Sequence, residues 1–280
     1  MTVVLTNHFL SGVAIIADCR VSYGTGFPVH DGLQKLYPIG KHTVLGFSGP
    51  LAGACQVIEA IRKHRSRQSE RVAAAILLDV ERWIRHAYRN IRSAGERKNL
   101  SFLLASVEPN KVTRFAPGIK AKFNLPDIPR CKTFALVPSP GDPSELVKQQ
   151  RYNVKVIGVK EDAVGPIRVA LTDRFVNQFH SPRGEEVIRG SLEALRIARD
   201  NHPETVGGLF QCAILDAEGV GWADYEVGEI ALKTEAGRYV QHNKITGEKK
   251  PLLTVWEWRE RHGFCQPPGA SDVFDLSGLA

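Results

Sequence analysis

Residues 2–26 read TVVLTNHFLSGVAIIADCRVSYGTG. Leu10 to Asp18 within this stretch is dense in apolar and β-branched residues and runs directly into a carboxylate, which predicts a buried strand with a charge at its end. Thr2 to Thr6 predicts a strand before it, and His42 to Ser48 (HTVLGFS), bounded by Gly40 and Gly49, predicts a third. An aspartate closing such a strand would cost several kcal/mol if buried alone, so Asp18 is expected to hold a cation such as Lys35. The plainer reading of the same pair is a surface salt bridge.

Outward from these strands the period changes. Val57, Ile58, Ile61, Val72, Ile76, Val80, Trp83, Ile84, Ala87, Tyr88 and Ile91 recur at three and four residues, predicting two amphipathic helices between Leu51 and Arg92. Strands are expected again at Leu100 to Val107, Val112 to Phe115 and Tyr152 to Gly158. Between them, residues 116–150 carry six prolines with little periodicity and read as a long loop or insertion. A helix is expected from Ala163 into the 170s and a clearer one from Ser181-Pro182, which suit an N-cap and first helical position. Phe210 to Asp216 and Val227 to Lys233 read as closing strands. Strands and helices segregated into runs point to an α+β fold. Residues 234–280 form a C-terminal extension of unknown role after a domain spanning 2–233.

The chain has 280 residues with 43% hydrophobic and 24% charged side chains, which excludes fibrous and wholly disordered classes. Its longest apolar run, Val72 to Leu78, is far short of the roughly 20 residues of a membrane span. Without the pattern of a secretory signal, a cytoplasmic location is expected. The five cysteines, at 19, 55, 131, 212 and 265, include no Cys-x-x-Cys pair and suggest neither disulfides nor zinc. No metal or other cofactor is expected. The formal net charge of +7 is concentrated between Arg62 and Lys98, where 11 basic residues meet 4 acidic ones. This excess reads first as a solvated helix face and second as a surface for an acidic partner; nucleic acid is not expected.

Thr2 stands one cleavage from the chain start. An N-terminal threonine needs no histidine as base, because its own α-amine, with a reference pKa of about 7.7–8.0, can take the hydroxyl proton. Taken alone, Thr2 is an ordinary strand residue; Asp18, Arg20, Lys35 and Gly49 give it meaning, with separations of 16 from Thr2 to Asp18, 17 to Lys35 and 14 to Gly49.

Residues 2–26, followed by QKLYPIGKHTVLGFSGPLAGACQ (34–56), resemble the N-terminal region of a proteasome β-type subunit, a family of N-terminal nucleophile hydrolases. The resemblance covers the terminal Thr, the strand ending Ala-Asp-x-Arg, the Lys-Leu-Tyr-Pro-Ile strand and the Gly-Phe-x-Gly turn. It implies a four-layer αββα sandwich and a threonine peptidase acting on peptides or unfolded protein within a homo-oligomer. A non-peptidase amide hydrolase and an inactive scaffold on the same fold are the alternatives. It further implies that Thr2 is the nucleophile, that Lys35 tunes it, and that Asp18 pairs Lys35 with support from Arg20. The Gly49 N–H would face the oxyanion. The family's pocket positions fall on Val21, Leu33, Phe47 and Leu51, implying an apolar specificity pocket. Three departures stand out. Gly158 is followed by Val159 where the family places Ser, Asp200 precedes Thr205-Val206-Gly207-Gly208 at a longer spacing than the family's Asp and Ser-Gly-Gly, and Gly53 replaces the usual acid. Asp200 remains a candidate, its plainer reading being a helix-terminal carboxylate.

Overall fold

The computed structural model describes residues 3–9, 11–22, 29–65, 73–112, 128–150, 155–158, 184–201, 206–207, 209–236 and 238–264, with single positions 165, 167 and 171. The chain opens with six strands: β1 (Val4–Phe9), β2 (Gly12–Asp18), β3 (Arg20–Ser22), β4 (Val29–Asp31), β5 (Leu36–Gly40) and β6 (Thr43–Ser48). Helices α1 (Leu51–Arg65), α2 (Ala73–Arg89) and the single turn α3 (Ala94–Arg97) follow. Strands β7 (Ser101–Val112), β8 (Pro129–Pro138), β9 (Leu146–Gln149) and β10 (Lys155–Ile157) then precede helix α4 (Gly184–Asn201). The remainder is β11 (Phe210–Leu215), β12 (Val220–Ala223), β13 (Tyr225–Val227), β14 (Ile230–Glu235), β15 (Arg238–Asn243), β16 (Lys249–Pro251) and helix α5 (Val255–His262).

Two five-stranded antiparallel sheets, ordered β10-β1-β2-β11-β12 and β5-β6-β7-β8-β9, form the centre. Strand periodicity builds the layers, because successive side chains point to opposite faces. Val4, Ile15 and Ala213 meet Val44, Leu103 and Ala105 between the sheets, whereas their chain neighbours Leu5, Ile16 and Cys212 turn outward against Val187 and Leu195 of α4. On the far side, Leu45, Phe102 and Leu104 pack under Val57, Ile61, Val80 and Ile84 of α1 and α2. The result is the expected four-layer αββα sandwich. Among the described residues no helix is long and apolar enough to cross a membrane.

Two readings from sequence need correction. The segment 116–150 is not a loop throughout, since β8 and β9 complete the second sheet, with β8 paired to β7 from Phe102↔Leu136 to Glu108↔Arg130. Pro129 and Pro138 stand at the two ends of β8, where a missing N–H is tolerated, and their number masked the apolar run Phe134 to Val137 between them. The strand expected to end at Val107 continues as β7 to Val112, and the Glu108-Pro109-Asn110 interruption is carried as a register shift between Glu108 and Val112; beyond Val112 the strand expected at 112–115 lies outside the described residues. Residues 113–127 lie outside the described residues. So do the first residues of the helix expected from Ser181 and most of the one expected from Ala163, of which positions 165, 167 and 171 are helical.

Beyond Thr234 the chain continues in ordered structure. Strands β13 to β16 make a third antiparallel sheet. Helix α5 is started by a capping box, in which Thr254 accepts the Glu257 N–H and the Glu257 carboxylate accepts the Thr254 N–H at 2.9 Å. Its Trp258 is fully buried in the cluster that also holds α1.

Candidate active site

Strand β2 delivers Asp18 to a wholly buried position opposite Phe210 of β11. Asp18 Oδ1 accepts from Lys35 Nζ at 2.8 Å and from the Val3 N–H at 3.3 Å, and Oδ2 accepts from the Gly207 N–H at 3.2 Å. Lys35, 1% exposed, also donates Nζ to the backbone carbonyl of Arg20. Burial pushes the Asp18 carboxyl above the usual carboxylate range, while the Lys35 ammonium and the Gly207 N–H offset part of that rise. The cation expected for Asp18 is therefore Lys35, in a buried pair and not a surface one.

Arg20 is anchored from the adjoining ribbon, where β3 and β4 put it opposite Asp31. Its guanidinium makes a two-pronged contact with the Asp31 carboxylate, Nε to Oδ1 at 3.0 Å and Nη2 to Oδ2 at 2.8 Å, and Nη1 donates to the Val206 carbonyl at 3.2 Å. Gly207 fits between these groups because it has no side chain: a Cβ there would lie 2.3 Å from Asp31 Oδ1 and 2.6 Å from Arg20 Cβ.

The turn that presents Lys35 is held by residues the sequence reading did not single out. Gln211 Oε1 accepts the N–H groups of Lys35 and Leu36 at 3.0 and 3.2 Å, and its Nε2 donates to the Leu33 carbonyl at 3.0 Å. From the C-terminal segment, Gln241 Nε2 donates to the Asp31 carbonyl, Leu253 N–H to the Gly32 carbonyl at 2.9 Å, and Gln34 N–H to the Leu253 carbonyl at 2.8 Å. One signal was available. Gln211 is a polar residue inside the apolar strand segment FQCAIL, and it is buried, as is Gln241; buried amides need partners.

Gly49 sits where β6 turns into α1 with φ +115°, and a Cβ there would lie 2.5 Å from the Asn99 carbonyl oxygen. Gly53, the departure at the start of α1, also has a steric reason: its Cβ would meet the Glu96 carbonyl oxygen at 2.5 Å. Thr2 lies outside the described residues, as do Val159, Thr205 and Gly208. Asp200 is exposed in the last turn of α4, where it meets Arg199 at 3.4 Å, and among the described residues no hydrogen bond joins it to the Asp18 cluster. Its surroundings are those of a helix-terminal carboxylate. Of the four positions expected to line an apolar pocket, Leu33 and Phe47 have no exposed surface and Val21 is 5% exposed, so they are core residues; Leu51 alone is half-buried.

The Lys35 ammonium is fixed by the Asp18 carboxylate and the Arg20 carbonyl, and a cation so placed favours the deprotonated state of an amine or hydroxyl beside it. Val3, which follows Thr2 in the sequence, is tied to that pair from both sides, since the Asp18 N–H also donates to the Val3 carbonyl at 3.2 Å.

The family model for proteasome subunits matches residues 2–114. A solved structure of an Anbu (Gly-1) mutant from Hyphomicrobium sp. strain MC1 is 17% identical, with 80% of this chain and 85% of that chain covered at a TM-score of 0.55. Anbu, an ancestral beta-subunit, from Yersinia bercovieri is 14% identical, with 79% and 86% covered at a TM-score of 0.54. No curated protein matches. At these identities the two structures establish a shared fold.

Proposed function

We propose that this chain, which carries the proteasome-type fold of the N-terminal nucleophile hydrolases, is a threonine peptidase whose nucleophile is Thr2. The observation that supports this most is the double grip of Asp18 on Lys35 and on Val3, at 2.8 and 3.3 Å. It ties the residue following Thr2 to the carboxylate that fixes a buried ammonium. With Met1 removed, Thr2 Oγ attacks a peptide carbonyl and the freed α-amine takes the hydroxyl proton. The oxyanion is met by the Gly49 N–H, the C–N bond breaks, and the amine passes the proton to the leaving nitrogen. Water then hydrolyses the ester on Thr2, with the same amine as base. Lys35 presents its ammonium to the reacting groups, Asp18 positions Lys35, and Arg20 supplies the carbonyl that fixes the other side of the ammonium. The protein works as a homo-oligomer in the cytoplasm on peptides or unfolded chains, the setting that the family resemblance implies.

Intact-mass measurement after treatment with a peptide epoxyketone tests this directly. The expected result is one adduct per chain, mapped to Thr2, in protein that has lost Met1, and none in Thr2→Ala. Absence of an adduct on a chain whose N-terminus is mass-verified as Thr2 would overturn the proposal in favour of a scaffold.

A further inference from the structure

The end of the sandwich away from Asp18 holds a second cavity that the proposed peptidase chemistry does not use. It lies under α2, where the edges of the two central sheets meet, with a volume of about 570 Å³; a separate groove of about 800 Å³ lies beside α1. Val3 marks the Asp18 end of β1 and His8 lines this cavity five residues later, so at about 3.3 Å per strand residue the two sites are roughly 17 Å apart.

Among the described residues, five cations line this cavity: Lys111, Arg130, Lys132, Lys148 and Lys155. They come from four different strands or strand ends, β7 to β10, so the topology gathers them and no single run of sequence does. Two carboxylates partly balance them. Glu108, 3% exposed, lies behind the wall, with Lys132 Nζ at 3.1 Å, Lys111 Nζ at 3.5 Å and Arg130 Nε at 3.7 Å. Glu81 of α2 binds Lys148 and also Arg85, the latter at 3.0 Å. Cations exceed carboxylates even so. Lys155 is buried at the floor, where its ammonium donates to the Thr133 hydroxyl at 2.8 Å, and Thr133 also bonds His8 Nε2 at 2.8 Å. His8 adds no charge at neutral pH, since burial and the Lys155 charge hold it down at about 4. The opposite wall is apolar: Leu77, Leu78 and Phe134 line it, Leu78 being 64% exposed, and the Phe134 ring lies 4.0 Å from Lys148 Nζ.

We propose that this cavity is a binding site for a small molecule carrying a polyphosphate chain, with an apolar or aromatic body against Leu77, Leu78 and Phe134. The spread of the cations favours several linked anionic groups over one. Four of the five are lysines, which meet phosphate oxygens as point charges. The volume is that of a small-molecule pocket, which sets this apart from the open basic faces of α1 and α2.

Isothermal titration calorimetry on the full chain, with ATP in the absence of magnesium and with inorganic tripolyphosphate, reads the site without reference to peptidase activity. Both probes should bind at sub-millimolar concentration, with affinity falling about tenfold or more between low and high salt as screening rises. ATP should bind more tightly than tripolyphosphate because its base meets the apolar wall; equal binding would overturn the part of the proposal that places an apolar or aromatic body there. Lys132→Ala should weaken both probes at least several-fold. Leu78→Glu, an exposed position that leaves the fold intact, should do the same by placing a carboxylate on the wall, whereas Arg62→Ala on α1 should change nothing. If neither probe binds at millimolar concentration, or if binding is unchanged in both Lys132→Ala and Leu78→Glu, the site is refuted.

Discussion

Gln241 donates its side-chain amide to the backbone carbonyl of Asp31, a residue 210 positions earlier in the chain. The Asp31 carboxylate holds Arg20, and the Arg20 carbonyl accepts from Lys35. A strand near the C-terminus is thus three contacts from the ammonium at the candidate active site.

Gln241→Leu should therefore lower turnover by more than its effect on stability explains. Loss of the amide leaves the Asp31 carbonyl buried without this donor, a cost of about 1–3 kcal/mol. If the turn also shifts, Lys35 moves with it. The check is peptide hydrolysis beside a thermal melt: a variant that melts a few degrees lower but turns over normally would show that the C-terminal sheet stabilises without positioning.

Breaking the buried pair from one side should be costly for both folding and chemistry. Lys35→Met leaves Asp18 in a dry site without its cation, and about 3–5 kcal/mol of stability should be lost. Adding Asp18→Asn removes the orphaned charge, keeps an oxygen for one of the Val3 and Gly207 N–H groups, and should recover part of that loss in a denaturant titration. Turnover should stay abolished in both variants. Normal hydrolysis by folded Lys35→Met would reject the role given to Lys35.

Retention of Met1 should silence the protein. An acylated Thr2 nitrogen is an amide and cannot accept the hydroxyl proton, and base assistance of this kind is worth about 10²- to 10⁴-fold in rate. An uncleaved N-terminal tag should cost at least that order with unchanged circular dichroism, while a C-terminal tag should do far less harm. Equal rates with mass-verified Met1 would make Thr2 merely the first residue of a strand.

His8 gives the fold an acid limit. Its pKa is held at about 4 in the folded chain against an ordinary 6.5, because burial and Lys155 disfavour the imidazolium. Between those values the unfolded chain takes up a proton that the folded chain refuses, so stability falls as pH drops from 6.5 towards 4 and levels off below. The full loss from this one group is about 3 kcal/mol. Urea unfolding from pH 4 to 7 should show the slope, and His8→Gln should flatten it.

The fold was legible where one physical signal ruled alone. Leu10 to Asp18, His42 to Ser48 and the two helices after Leu51 each carry a clean period, and all stand within a residue or a few of the observed bounds. Legibility failed at β8, where terminal prolines outweighed the apolar run they enclose. In the site, Asp18 and Lys35 were readable because a charge ending a buried strand demands a partner, whereas Arg20 came from the resemblance alone and its carboxylate partner is Asp31. Gln211 carried a local signal, a polar residue inside the apolar run FQCAIL, but which groups it binds, like the roles of Asp31, Gly207 and Gln241, depends on distant residues that no local pattern encodes. Asp200 shows the converse: a motif with altered spacing left it on the surface with Arg199.

The contact between Gly207 and Asp18, 189 positions apart, also carries a consequence for timing. A ribosome releases a chain from its N-terminus, so Thr2 to Lys35 emerge while Gly207, Gln211, Gln241 and Leu253 are still unmade. The carboxylate, the ammonium and the turn between them lack their clasps until nearly the whole polypeptide is available. The proposed catalytic centre is therefore complete only once the last strands have docked.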